Sequence, residues 1–245
     1  MSDLPETARR ALERAREKKL SYAVRLLRAP DGRTLVVLGE AHMKLAEAAK
    51  IGHDVVAAFE LRGVETFQRK RVFLGRALGV LIQAPRTLLR LVTFGAVKGS
   101  TITDAKQLPS GYTVELERTK HIPFGLHVTS LYMTIYFTFA FLGLLLPLIG
   151  PIAPPLAALI VTVLFALQVH MVLLVPAIVL RRYSWSWMIH PLIGILTLRD
   201  VLMSEGTVTM LADHRKEKFA VVVMGRAHLP GFSRLLIERH GFTEA

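Results

Sequence analysis

The sequence has no cysteine, which excludes disulfides and thiolate metal ligands but leaves the compartment open. A second absence is larger. Between Lys120 and Arg181 there is no Lys, Arg, Asp or Glu. Two blocks inside this gap, His127 to Gly150 and Leu156 to Leu180, each exceed the roughly 20 residues that a helix needs to cross a bilayer. Between them stands "PIAPP", Pro151 to Pro155. Its prolines remove backbone donors and restrict the residues before them, so a helical hairpin with a tight turn is expected rather than one long helix. An apolar h-region is also missing from the first 20 residues, "MSDLPETARRALERAREKKL", and no signal peptide is expected there.

Acids are scarce throughout: 19 Asp and Glu stand against 31 Lys and Arg, a net charge of +12. The segment from Gln68 to Ser100 holds seven Lys or Arg, no acid, and many Leu, Val and Phe. One reading lays its apolar face in the headgroup zone with its cations near anionic lipid. The other makes it two core helices broken at Pro85, with basic solvent faces. No aromatic platform or recognisable RNA motif accompanies the charge, so the expected partner is membrane lipid and not nucleic acid. Basic residues also set the orientation. Arg118 and Lys120 precede the hairpin, Arg181 and Arg182 follow it, and its turn has none. Both termini are therefore expected on the cytoplasmic side of the cytoplasmic membrane, with Tyr183, Trp185 and Trp187 forming an interfacial belt.

Outside the gap the pattern alternates between strand and helix. Pro5 to Lys19 places acids and bases at helical spacing. "SYAVRLLRAPDGRTLVVLGEAH" reads as two strands joined at Pro30 to Gly32. A helix from about Leu45 to Ile51 and strands at Asp54 to Leu61 and Gly111 to Glu117 follow. Beyond the hairpin, a helix from about Arg199 to His214 leads into a strand at Phe219 to Met224 and a final helix stopped by Gly241. The expected fold class is α/β, a mixed sheet flanked by helices. Residues 1–120 and 183–245 are expected to share that sheet, with a transmembrane hairpin, 121–182, inserted between them.

The residues with chemistry to offer lie at strand ends. "TLVVLGEAHMK" and "FAVVVMGRAHLPGF" are two apolar runs, each closed by Gly-x-x-His. In an open α/β sheet, ligands bind outside the carboxyl ends of the strands, where residues distant in sequence converge. His42 with Glu40, Glu60, Glu117 with His121, and His228 all have this expected position. Two histidines and a carboxylate make a nitrogen-and-oxygen metal site, and a bound divalent ion with a nearby Glu as base makes a hydrolytic one. The competing reading is a pair of structural loops. Arg62 is expected either to orient Glu60, to bind an anion, or to lie exposed on a loop. Within the second apolar block, His170 and Gln168 are expected to bond a neighbouring helix, and they are too few to line a pore.

The segments "VVLGEAHMK", "VVAAFELRG", "LRDVLMSEG" and "AVVVMGRAHLPGFSRLLIERHGF" together resemble the TraB/TIKI family of metalloproteases, related more loosely to the erythromycin esterase and ChaN folds. The resemblance covers about 30 residues at the front of the chain and about 45 at the back. It implies a metal site of His42, Glu60 and His228, holding manganese, cobalt or zinc, and a peptide or membrane-protein substrate. Glu60, Glu40, Glu117 and Arg199 are the catalytic candidates. One departure stands out: where the family pattern reads Glu-Arg-Asp, this chain reads Leu198-Arg199-Asp200. If that acid is required, the chain is expected to bind a metal or ligand without hydrolysis, as a membrane regulator.

Overall fold

The computed structural model describes residues 4–41, 44–94, 97–98 and 101–245. Its strands are β1 (Tyr22–Arg28), β2 (Thr34–Glu40), β3 (Lys44–Leu45), β4 (Leu61–Val64), β5 (Val97–Lys98), β6 (Tyr112–Glu115), β7 (Phe219–Gly225) and β8 (Thr243–Glu244). Its helices are α1 (Glu6–Glu17), α2 (Ala46–Ala57), α3 (Gly75–Val92), α4 (Thr101–Gln107), α5 (Phe124–Leu144), α6 (Leu146–Ile152), α7 (Pro154–His170), α8 (Leu174–Val179), α9 (Gly194–Asp213) and α10 (Leu229–His240). The chain divides into two compact units. One holds Met1–Phe67, Leu88–Thr119 and Asp200–Ala245; the other holds Gln68–Thr87 and Lys120–Arg199.

The first unit is built on a six-stranded mixed sheet in the order β6-β4-β7-β2-β1-β8. β6, β4, β7 and β2 run parallel, while β1 and β8 complete one edge antiparallel. The front and back of the chain thus contribute neighbouring strands, with Val37 of β2 opposite Val222 of β7. Both strands are buried almost throughout, as expected of parallel strands covered on both faces. Alternation divides their side chains between two cores. Val36, Leu38, Val221 and Val223 pack with Leu12 of α1 and Val55 of α2. Leu35, Val37, Val222 and Met224 pack with Met203 and Met210 of α9 and Phe232 of α10. α10 ends at Gly241, whose φ of +71° is the left-handed turn expected of a helix terminator.

One expected strand is a helix. Asp54 to Ala57 belongs to α2, whose buried positions Ala48, Ile51, Gly52, Val55 and Val56 recur at intervals of three and four. That is helical spacing, and it prevails over the strand preference of a Val-Val pair. The strand starts only at Leu61. Glu60 therefore stands at the amino end of β4, where its carbonyl accepts from the Tyr112 amide at 2.7 Å. Arg62 is not an exposed loop residue either. It is 1% exposed, and its guanidinium donates to Val56 O at the end of α2 and to Ser110 O. Burial pulls its pKa below the ordinary arginine value.

The second unit contains two helical stretches long and apolar enough to cross a membrane: Phe124–Leu144, and Pro154–Val179, which runs through α7 and α8 with a mean hydropathy of 2.5. Only 6% of the most apolar window of the second is buried. The connector is more than a tight turn, because α6 fills it, with Pro151 inside that helix and Pro154 and Pro155 opening α7. Pro85 likewise sits inside one continuous α3 and does not divide it in two. His170 and Gln168 find partners on α5: His170 Nδ1 lies 2.9 Å from Tyr132 Oη, and Gln168 Nε2 donates to Tyr136 Oη at 3.5 Å.

Candidate functional site

The parallel register brings the two Gly-x-x-His segments together. Gly39 pairs with Met224 and Glu40 with Gly225, so β2 and β7 end side by side. A β-carbon on Gly39 would lie 3.3 Å from both Arg226 Cα and Leu229 Cβ. The absence of one lets the second motif's turn, Arg226–His228, pass tightly over the first. That turn delivers His228 to the carboxyl edge of the sheet, 4% exposed. His42, the counterpart in the first motif, lies outside the described residues.

His228 is held between two carboxylates from different elements. Its Nδ1 lies 2.7 Å from Asp200 Oδ1 of α9, and its Nε2 lies 3.6 Å from Glu65 Oε1. Glu65 directly follows β4, so it stands at the carboxyl end of that strand, and its other oxygen accepts from the Gly225 amide. Both acids are largely buried. Gly231 makes room for this arrangement, because a β-carbon there would overlap Asp200 Oδ2. The Asp200 carboxylate consequently lies against the first turn of α10, where the helix dipole favours an anion.

A second polar cluster ends β2. Glu40 is 1% exposed, and its Oε2 accepts from Lys44 Nζ and from the Thr101 amide. Lys44 also donates to Thr101 Oγ1 at 3.1 Å and stands 5.0 Å from the centre of the Tyr22 ring. Burial pushes the Tyr22 phenol up to about 12, and it donates to Ala48 O at 2.6 Å. The Glu40 oxygen that meets Lys44 is thus occupied by an ion pair rather than offered to a ligand.

The remaining predicted residues are placed as follows. Glu60 is exposed and five residues before Glu65, about 16 Å along an extended strand. It is not brought to His228, because the strand it was expected to end begins after it. Glu117 is 3% exposed just past the carboxyl end of β6, and lines a cavity of about 520 Å³ with Glu115, Arg118, Glu205 and Asp213. The lining of that cavity does not include His228. His121 is exposed, and Arg199 is buried immediately before Asp200. Sequence reasoning missed Glu65. The signal available was "LRGVE", a short segment that, apart from Arg62, is apolar and closed by an acid, like "VVLGE" of the first motif.

A separate polar cluster belongs to the hairpin unit. Tyr132 Oη lies 2.9 Å from His170 Nδ1 and 3.3 Å from His190 Nε2, and the two imidazoles stack with centroids 4.6 Å apart. His190 is fully buried beyond the second apolar stretch, and its Nδ1 accepts from the Leu192 amide. That acceptor role assigns its proton to Nε2, which donates to Tyr132. Burial, assisted by His170, brings the His190 pKa down to about 4.

Among the described residues, no group of three or more His, Asp or Glu side chains is arranged to hold a metal ion. In comparisons with known proteins, no family model, curated protein or solved structure matches this chain.

Proposed function

We propose that this chain is a membrane-anchored hydrolase of the TraB/TIKI type, a metal-dependent peptidase with its site on the cytoplasmic face. The observation that carries the reading is His228, buried at the carboxyl edge of the sheet and held by Asp200 with Nε2 turned to Glu65. An ionised Asp200 can only accept, so it fixes a proton on Nδ1. Nε2 then meets Glu65 Oε1 across 3.6 Å, beyond hydrogen-bond reach. The two atoms face each other across that gap in a geometry that suits a cation bound between them.

The pair fits a metal as far as it goes. A separation of 3.6 Å is compatible with two ligands at about 2.1 Å from one divalent ion. Asp200 takes the part of the outer carboxylate that orients a ligating histidine. His228 and Glu65 would hold manganese, cobalt or zinc, with His42 as the further ligand expected from the repeated motif. Such an ion, when bound, lowers the pKa of a water so that it serves as nucleophile near neutral pH. Glu117 lines a separate cavity past the carboxyl end of β6 that does not include His228, and it enters this reading as a candidate carboxylate only.

The membrane part of the proposal rests on the apolar stretches. Phe124–Leu144 is about 32 Å long and Pro154–Val179 about 39 Å at 1.5 Å per residue, against a hydrocarbon core of about 30 Å. Bases flank the stretches and are missing from the turn between them, which favours cytoplasmic termini.

A non-catalytic ligand-binding reading also has an observation in its favour. A β-carbon on Gly125 would lie 2.6 Å from Leu198 Cδ1, so Leu198 packs closely on α5. The position where the resembled family carries an acid is here an apolar packing residue. Metal analysis of the full chain purified in detergent separates the readings when paired with a broad peptide-cleavage screen. Both expect bound metal that is lost in His228→Ala and weakened about 10–100-fold in Asp200→Asn. Cleavage supports the enzyme, and its absence with metal retained supports the ligand-binding protein. Undiminished metal in His228→Ala overturns the site.

A further inference from the structure

The hairpin unit presents a cationic amphipathic segment whose start is tied to one end of the apolar stretches. Gln68–Thr87 carries five Lys or Arg and no acid. Along α3 as far as Thr87, Ala77, Leu81, Ala84 and Pro85 fall within an arc of about 100° at 100° per residue. Arg76 and Gln83 lie on the opposite side. Leu78 is fully buried and fastens the helix inward, whereas Ala77, Ala84 and Pro85 are exposed, as are Val80 at 69% and Phe73 at 56%.

Two hydrogen bonds set the level at which this segment lies. The Phe73 amide donates to His127 Nδ1 at 3.2 Å, and Arg71 Nη2 donates to the Lys120 carbonyl at 2.6 Å. His127 lies in the first turn of α5, and Lys120 is the last charge before the long uncharged gap. The same end carries the aromatic residues: the Phe124 ring meets Trp187 edge-on at 6.5 Å, and Tyr183 stacks on Trp185. Aromatic rings of this kind gather at the boundary between hydrocarbon and water.

We propose that Gln68–Thr87, led by the exposed Phe73 before α3, by Ala77 and Ala84 on the apolar side of the helix, and by the cations Lys70 and Arg76, lies on the bilayer surface and binds anionic phospholipid headgroups. This rests on the membrane reading above and adds to it a lipid class and a docking element. Apolar side chains enter the headgroup boundary, and the cations neutralise lipid phosphates in the same leaflet. A soluble acidic partner would explain the charge but not the fixing of an exposed apolar arc at the mouth of the hairpin.

The absence of cysteine allows the test to use single labels. Ala84→Cys and, separately, Phe165→Cys in α7 are labelled with an environment-sensitive fluorophore. Each full-length protein is placed in nanodiscs of phosphatidylcholine, with or without phosphatidylglycerol, containing lipids with spin-label quenchers at shallow or deep positions. The Phe165 label is expected to be quenched at depth in both lipids. The Ala84 label is expected to be quenched only by the shallow probe, and more strongly with phosphatidylglycerol. Replacing Lys70 and Arg76 by Gln is expected to weaken that contact roughly 30-fold, from about 1 kcal/mol per cation at an anionic surface. A deep Phe165 label with Ala84 in water overturns this inference and leaves the membrane reading standing. Equal Ala84 quenching in both lipids overturns the anionic preference, and a Phe165 label in water overturns the membrane reading itself.

Discussion

In the sheet unit two buried clusters meet as ionisable partners: Lys44 with Glu40, and His228 between Asp200 and Glu65. In the hairpin unit they meet as uncharged hydrogen-bonding partners, Tyr132 with His170 and His190. The first arrangement removes charges from water and recovers the cost through pairing, so losing one partner strands the other. The second places no carboxylate or ammonium in the cluster itself, so its weak point is the arrival of a proton. The contrast predicts that the two units fail under different insults, and three measurements can break or sharpen it.

The largest effect is expected from Lys44→Met. Its side chain is 1% exposed, and removing it takes the ammonium from a buried Glu40 carboxylate that also accepts from the Thr101 amide. The expected loss is about 3–5 kcal/mol, the usual result of orphaning one member of a buried pair. Both tryptophans, Trp185 and Trp187, belong to the hairpin unit. Hydrogen exchange at β2 and β7 should therefore accelerate while the tryptophan emission of the folded protein stays unchanged. Adding Glu40→Gln should recover part of the loss, because Gln keeps an acceptor for the Thr101 amide without a stranded charge. No recovery in the double variant would mean that the pair is not the source of the stability.

An intermediate effect compares one glycine from each unit. Gly231→Ala drives a methyl into Asp200, a contact that closes the site, and is expected to destabilise by about 1–3 kcal/mol. It should also detach Asp200 from His228, seen as a shift of the His228 ring resonances. A β-carbon on Gly150 meets no other atom within 4 Å. Gly150→Ala is therefore expected to be neutral or to stabilise by about 0.5–1 kcal/mol, through helix preference alone. Equal effects at the two positions would remove the packing argument for Gly231.

How much of this was legible in the sequence depends on how local the signal was. β2 and β7 read clearly because a buried parallel strand is continuously apolar, and the glycine-histidine ending of β7 marked where His228 stands. The apolar stretches read from composition alone. Glu65 and the Asp200–His228 bond did not, because each depends on where a distant element starts. The Val-Val pair of α2 looks like a strand until its three-and-four spacing is followed back to Ala48, and reading it as a strand moved the expected acid to the wrong end of β4. Lys44, four residues past Glu40, carried no sign in sequence that it would be buried. Its burial follows from Thr101, which closes the cluster from a segment 57 residues away.

The smallest effect is a pH dependence confined to the hairpin unit. His190 is fully buried, with its pKa held at about 4 by burial and by the stacked His170 ring, while an unfolded histidine titrates near 6.5. As pH falls, the unfolded chain takes up this proton first, so the contribution of His190 is complete above about pH 7.5. It declines as pH falls from about 6.5 to 4 and is constant below that. At pH 5.5 the expected loss relative to pH 7.5 is about 1 kcal/mol. Unfolding in mild detergent followed by Trp185 and Trp187 fluorescence reports this unit directly. Replacing His190 by Gln, which keeps donor and acceptor groups but cannot take up a proton in this range, should flatten the decline between pH 7 and 5. The same slope in both proteins would show that protonation elsewhere governs the acid response. The hairpin would then differ from the sheet unit in composition but not in how its buried polar groups are stabilised.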